Sequence, residues 1–109
     1  MNALLFILND GSPISLDCPS GCHEKIDDIK AIEGSKAIQA AFTAERGWAV
    51  VDNKGKVHTS PTGVPSGFVN KVNDLAKKGT KVRCISFMTQ FSGWCIVTDQ
   101  GEPFREGIK

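Results

Sequence analysis

The sequence lacks the features that would point directly to a partner: an excess of charge and a long apolar run. Thirteen basic and twelve acidic side chains leave a net charge of only +1 over 109 residues. Proteins that bind nucleic acids or anionic membranes usually carry a basic excess, so we expect neither partner. No stretch approaches the ~20 apolar residues that a membrane-spanning helix needs.

The sequence also lacks recognised catalytic motifs. It contains no nucleophile elbow, no phosphate-binding loop and no dinucleotide-binding fingerprint. Its few histidines and acidic residues do not form an evident set of nucleophile, base and orienting group. We therefore predict no catalytic residues, no metal and no cofactor, and we favour a protein that is not an enzyme.

The first residues do not read as a secretion signal. The apolar run Ala3 to Leu8 is only six residues long and no basic residue precedes it, whereas a signal peptide has a basic start and a longer apolar stretch. We therefore expect a cytoplasmic protein whose four cysteines are reduced. The length fits a single domain over 1–109.

The chain contains two similar segments, 19–64 and 65–109, and a partial copy at 1–18. Nine residues of the first segment recur 46 positions later: Pro19, Ser20, Gly21, Lys25, Asp28, Gly47, Trp48, Val51 and Gly55. In the middle of the segment the offset is 45. The opening stretch LLFILNDGSPIS is similar to WAVVDNKGKVHT of the first full segment. Together these matches predict an internally duplicated domain.

Each full segment predicts a helix followed by three strands. The helices are indicated by apolar residues at helical spacing: Cys22, Ile26 and Ile29 in the first segment, and Phe68, Val72 and Leu75 in the second. The strands are indicated by alternating apolar residues bounded by Asn, Asp and Gly, and the second strand of each unit is expected at Trp48–Asp52 and Trp94–Thr98. We predict an α+β fold in which a strand hairpin precedes two helix–strand–strand–strand units. The simplest arrangement is one mostly antiparallel sheet with two helices on one face. The alternative is a set of propeller-like blades closed by oligomerisation. The offsets also predict that the first helix is one residue longer than the second.

The stretch CPSGCH places Cys18, Cys22 and His23 close together. At the repeat offset, Cys22 corresponds to Phe68, His23 to Val69 and Cys18 to Val64, so each corresponds to an apolar residue. Because free cysteine often behaves as a small buried apolar residue, a structural role is favoured. The alternative is a reactive thiol at Cys18 or Cys22, since a helix N-terminus stabilises a thiolate and His23 could assist it.

Trp48 and Trp94 each follow a glycine at a hairpin corner. Either the two rings fill equivalent layers of the core, or they form half-exposed aromatic surfaces for a partner, a role in which tryptophan is enriched. For the second case, the predicted binding residues are Trp48, Trp94, Arg46 and Phe91.

The motifs GWAVVDNKGK and GWCIVTDQGE resemble the Gly-Trp hairpin repeats of some bacterial repeat proteins with propeller-like or solenoid architecture. The resemblance covers roughly 90 residues and implies a binding scaffold without chemistry of its own. Repeat arrays generally need about three units, so the two full units either close on themselves as a pseudo-symmetric domain or assemble with other copies of the chain. We favour a homo-oligomer.

Three functions follow as hypotheses. The first is a non-enzymatic binding or assembly module that recognises a protein or glycan partner. The second is a thiol-dependent enzyme or redox protein using Cys22 or Cys18 with His23. The third is a small inhibitor or immunity-type protein.

Overall fold

The computed structural model describes residues 4–88, 93–101 and 103–106. These residues form an α+β fold with two helices and eight strands. In chain order the elements are β1 (Leu4–Ile7), β2 (Pro13–Leu16), α1 (Cys22–Lys30), β3 (Ala37–Phe42), β4 (Trp48–Asp52), β5 (Val57–Thr59), α2 (Ser66–Lys77), β6 (Val82–Phe87), β7 (Trp94–Thr98) and β8 (Phe104–Glu106).

The strands form three small antiparallel sheets instead of the single sheet that we expected. The N-terminal sheet is β1-β2, the middle sheet is β3-β4-β5 and the C-terminal sheet is β6-β7-β8. The two three-stranded sheets have the same strand order, and both shift register early in their first pairing, between Ala37 and Gln39 and between Val82 and Cys84. No closed propeller is present in the described part of the chain.

Each helix shares a core cluster with the two sheets that flank it in the chain. The apolar stripe of α1 (Cys22, Ile26 and Ile29) lies in one cluster with residues of the N-terminal and middle sheets. The stripe of α2 (Phe68, Val72 and Leu75) lies in a second cluster with residues of the middle and C-terminal sheets. Both stripes are buried, as their helical spacing predicted.

The middle sheet is buried on both faces. Along β4, Trp48 and Val50 point into the α1 cluster, whereas Ala49 and Val51 point into the α2 cluster. Successive strand residues face opposite sides of a sheet, so this strand serves two cores at once. The N-terminal and C-terminal sheets each join only one of these clusters.

Successive sheets are also joined at their turns. A Cβ atom added at Gly11 would lie 2.8 Å from Lys36 Cβ, and one added at Gly55 would lie 2.5 Å from Lys81 Cβ. Both glycines have a positive φ, +88° and +84°, which an L side chain rarely adopts. A residue with a side chain at either turn would therefore push the following sheet away.

A single glutamine joins the middle sheet to the C-terminal sheet. Gln39 Nε2 donates to Ile85 O (2.6 Å), and Gln39 Oε1 accepts from Ile85 N (2.8 Å). The amide thereby occupies both backbone groups of Ile85 and bridges two residues 46 positions apart.

The expected helix lengths are wrong: α1 has 9 residues and α2 has 12. The first helix begins late because Gly21, at its N-terminus, has φ +90° and lies outside the helical region. In the second segment Pro65 is the cap and the matching Ser66 and Gly67 are already helical.

Candidate functional site

Trp48 lies in the core with a satisfied indole. Its side chain is 4% exposed, and its Nε1 donates a hydrogen bond to Ser20 O at 2.9 Å. The ring also lies against Gly21, since an added Cβ there would be 3.5 Å from ring atoms. The turn before α1 thus leaves a carbonyl free for the indole.

Trp94 is buried to the same extent but lacks this bond. It is also 4% exposed, and its ring packs edge-on against Phe68 with the centroids 5.7 Å apart. Its Nε1 has no hydrogen-bond partner among the described residues. Neither tryptophan therefore presents an exposed aromatic surface, and both rings fill the core as one of the two sequence interpretations expected.

The other two predicted binding residues flank the tryptophan corners. Arg46 has a positive φ of +62°, and its side chain is 49% exposed. Its Nη2 donates to Asp17 O at 3.4 Å and lies 3.7 Å from Asp17 Oδ1. This ion pair joins the first hairpin to the second and leaves half of the guanidinium side chain accessible. Phe91 lies outside the described residues.

The thiols of Cys18 and Cys22 lie in an environment that keeps them protonated. Both cysteines are free, and Cys22 is fully buried. Burial raises the pKa of both thiols, most strongly that of Cys22. Because the thiolate is the nucleophile, a raised pKa works against the reactive-thiol hypothesis.

The side chain of His23 is engaged elsewhere, in a cluster that sequence reasoning missed. Its Nδ1 lies 2.8 Å from Ser15 Oγ on β2, and its Nε2 lies 3.6 Å from Asp27 Oδ2 on α1. The residue types match a Ser-His-Asp triad, but the His23 and Asp27 side chains are 40% and 57% exposed. Their spacing of four residues makes them an ordinary surface pair on a helix. The i, i+4 spacing was visible in the sequence, whereas the approach of Ser15 was not.

A second histidine forms a buried pair with an aspartate. His58 Nε2 lies 3.0 Å from Asp52 Oδ2, and the two side chains are 17% and 8% exposed. Asp52 Oδ1 also accepts from the backbone N–H groups of Lys54 and Lys56. Burial acts to raise the pKa of Asp52, but the hydrogen bonds from His58, Lys56 and Lys54 outweigh it and lower that pKa. The pair thus holds the β4–β5 turn together.

The N-terminal sheet leaves one of its faces open. Leu4 pairs with Leu16 and Phe6 with Ile14 across the hairpin, so these four side chains share one face, which Leu8 extends. Their exposed fractions range from 45% to 65%. We call these five residues the head face. It consists entirely of large apolar side chains, and contiguous exposed apolar patches mark interaction sites.

The C-terminal sheet also leaves one face open, on its side away from α2. Cys95 pairs with Ser86 on one side and with Arg105 on the other, and Val97 pairs with Cys84; we call these five residues the tail face. Cys84, Ser86 and Arg105 are exposed, Cys95 is half-buried and Val97 is 36% exposed. Apart from Arg105, the face carries smaller side chains than the head face. Sequence reasoning missed both faces.

Two cavities lie at the junctions between successive sheets. One of about 350 Å³ lies between Gly55 and Lys81, and one of about 380 Å³ lies between Asp10 and Lys36. Turn residues and lysine side chains line much of both, and neither contains a cysteine or a histidine. The thiol and imidazole groups discussed above therefore do not open into these two cavities.

Two further observations concern a metal site and a membrane-spanning helix. Within the described ranges, no group of three or more His, Cys, Asp or Glu side chains is placed to hold a metal ion. Neither helix described here has the length and apolar character needed to cross a bilayer.

No protein-family model, no curated protein and no solved structure matches this chain significantly. The likeness to Gly-Trp hairpin repeats therefore rests on the motif and its spacing alone.

Proposed function

We propose that the chain is a non-enzymatic assembly module that associates through its head face, and that the occupant of this face is a second copy of the chain. The observation that carries the proposal is the head face itself, five large apolar side chains that are each about half exposed. Burying such side chains against a partner is favourable, at roughly 25 cal/mol for each Å² of apolar surface removed from water.

A protein surface suits this face better than a glycan. Sugar hydroxyls lose hydrogen bonds to water on binding and need polar groups to replace them. The five side chains of the head face offer no such groups, and the two tryptophans that could have stacked on a sugar ring are buried. A protein partner can instead supply apolar side chains that pack against Phe6 and Ile14.

The internal duplication that we infer from the sequence supports a copy of the same chain as the partner. At the 44-residue offset, Leu4, Phe6 and Leu8 correspond to Trp48, Val50 and Asp52. Those three residues are all buried within the fold. Among the described residues, the side chains at these positions are exposed only in the N-terminal sheet. One apolar face of this kind is therefore available to a second copy of the chain.

The test is the molar mass in solution, measured by light scattering on a sizing column with reductant present. We expect the native protein to exceed the monomer mass of 11.7 kDa and to dissociate on dilution. Phe6→Lys puts a charge at a 60% exposed position and should return the mass to that of the monomer.

Ile32→Lys is the matched control. Ile32 is 58% exposed but follows α1 and lies on neither open face, so this variant should associate as the native protein does. A native protein that stays at 11.7 kDa up to millimolar concentration would contradict the proposal.

A further inference from the structure

We infer that copies of the chain join head to tail, with the head face of one copy packed on the tail face of the next. This inference rests on the proposed function, because it requires the head face to associate with another copy. To the proposed function it adds the surface of the second copy that the head face contacts, and the symmetry of the resulting assembly.

The sizes of the side chains support this pairing. Within the fold, the junction between the middle and C-terminal sheets brings small residues of one sheet, Ala41, Ala49 and Val51, into one cluster with large residues of the next, Phe87, Trp94 and Ile96. The open faces repeat this difference. The tail face carries Ser86, Cys95 and Val97 at the matching positions, and the head face carries leucines, an isoleucine and a phenylalanine. Two large faces would interdigitate less well than one large and one small face.

The C-terminal turn gives a second, independent observation. Gly11 and Gly55 are each in tight contact with a lysine of the following sheet. Gly101 occupies the matching turn of the C-terminal sheet with φ +107°, yet a Cβ added there would meet no described atom within 4 Å. In contrast to the turns at Gly11 and Gly55, no described residue therefore packs against this turn.

Charge distinguishes this pairing from contact between two head faces. Residues 4–33, which build the N-terminal sheet and α1, carry six acidic and two basic side chains, a net charge of −4. Residues 65–106, which build α2 and the C-terminal sheet, carry six basic and four acidic side chains, a net charge of +2. Head-to-tail contact brings opposite charges closer, whereas head-to-head contact brings two acidic regions together.

The pairing is heterologous, since the two surfaces in contact differ. Such a contact leaves a head face at one end and a tail face at the other, so assembly continues until a ring closes or a filament grows. Head-to-head contact uses the same face on both copies and stops at a dimer.

The experiment uses two complementary variants. Phe6→Lys disables the head face, and Val97→Lys disables the tail face at a 36% exposed position. We expect each variant alone to have the monomer mass of 11.7 kDa, because every contact needs one intact face of each kind. Mixed in equal amounts, the two should form a species of twice that mass, since each supplies the face that the other lacks.

The outcomes separate this inference from the proposed function. If Val97→Lys still associates while Phe6→Lys does not, the contact is head to head; the head-to-tail inference then fails and the proposed function stands. If the native protein never associates, both fail. Circular dichroism and urea unfolding check that each variant is folded. Should Val97→Lys unfold, Cys84→Lys tests the same face at an exposed position.

Discussion

Trp48 and Trp94 occupy matching positions in the middle and C-terminal sheets, but among the described residues only the indole N–H of Trp48 has a hydrogen-bond partner. Both side chains are 4% exposed. Trp48 Nε1 donates to Ser20 O, whereas Trp94 Nε1 has no partner in the described part of the chain. The difference arises in the turn before each helix.

Ser20 precedes a glycine with φ +90°, so its carbonyl lies outside α1 and is free to accept the indole N–H. The matching Ser66 is the first residue of α2. The carbonyl of a helical residue points along the helix axis toward the N–H four residues later, and so it turns away from the ring. Because α2 begins two residues earlier than the matching start of α1, the carbonyl of Ser66 is not the acceptor for the buried indole N–H of Trp94.

The hairpins that follow the two tryptophans in the chain also differ in their side-chain contacts. In the middle sheet, Asp52 and His58 form a largely buried hydrogen-bonded pair. At the matching positions the C-terminal sheet has Thr98 and Phe104, and Lys71 Nζ lies 4.5 Å from the centroid of the Phe104 ring. Thr98 Oγ1 accepts from the backbone N–H of Gln100, as Asp52 Oδ1 accepts from Lys54, but the C-terminal hairpin has a cation–π contact in place of the Asp52–His58 hydrogen bond.

The largest expected effect is common to both tryptophans. Trp48→Ala and Trp94→Ala each remove a buried ring and should lower the free energy of unfolding by about 3–5 kcal/mol. The double variant should be unfolded, because a domain has only about 5–15 kcal/mol in total. Urea unfolding followed by circular dichroism measures this. A double variant that unfolds cooperatively near the native midpoint would instead favour the predicted binding role of these tryptophans.

Phenylalanine substitutions should separate the two sites. Trp48→Phe removes a hydrogen-bond donor that is in use, whereas Trp94→Phe removes a buried donor without a partner. With similar loss of ring volume, Trp48→Phe should be the more destabilising by about 1–3 kcal/mol. The measurement is the difference between the two urea-unfolding free energies. Equal values would show that Trp94 Nε1 is hydrogen-bonded in solution.

The smallest expected effect concerns acid stability. Because the pKa of Asp52 is lowered in the folded state, its ionised form stabilises the fold above its unfolded pKa of about 3.8. This contribution, about 1 kcal/mol, is lost as the pH falls through the folded pKa, where the native state must take up the proton.

Asp52→Asn should therefore be less stable than the native protein at pH 7, with the difference shrinking toward pH 3. Asp99→Asn, at an exposed turn of the C-terminal sheet, is the control. A difference that stays constant from pH 7 to pH 3 would contradict the assigned role of the Asp52 carboxylate.

Much of the local structure could be predicted from the sequence. The strands Trp48–Asp52 and Trp94–Thr98 have the expected bounds, because apolar runs ended by Asp, Asn and Gly leave few alternatives. The buried stripes of both helices follow from the spacing of Cys22, Ile26 and Ile29 and of their counterparts in α2.

No comparable sequence pattern predicts the features that depend on contacts between residues far apart in the chain. Division into three sheets depends on contacts between residues far apart in the chain, which a periodic pattern cannot reveal. The late start of α1 depends on the positive φ of Gly21, whereas Gly67 in the same motif is helical. The bond between Gln39 and Ile85 joins a side chain to a backbone 46 residues away, and the other segment has a cysteine at that position. The open head face was hidden because LLFIL is apolar at every position, which is also the pattern of a strand buried on both sides.

The pairing of strands only with their neighbours in the chain has a consequence for how the protein folds. Every described ladder joins consecutive strands, so each closes a short loop, and the entropy lost on closing a loop grows with its length. Each sheet can therefore form from one continuous piece of chain before the helices bring the sheets together. Chains dominated by such local pairing fold faster than those that must first match distant strands, and the contacts that remain to be formed are those between the three sheets.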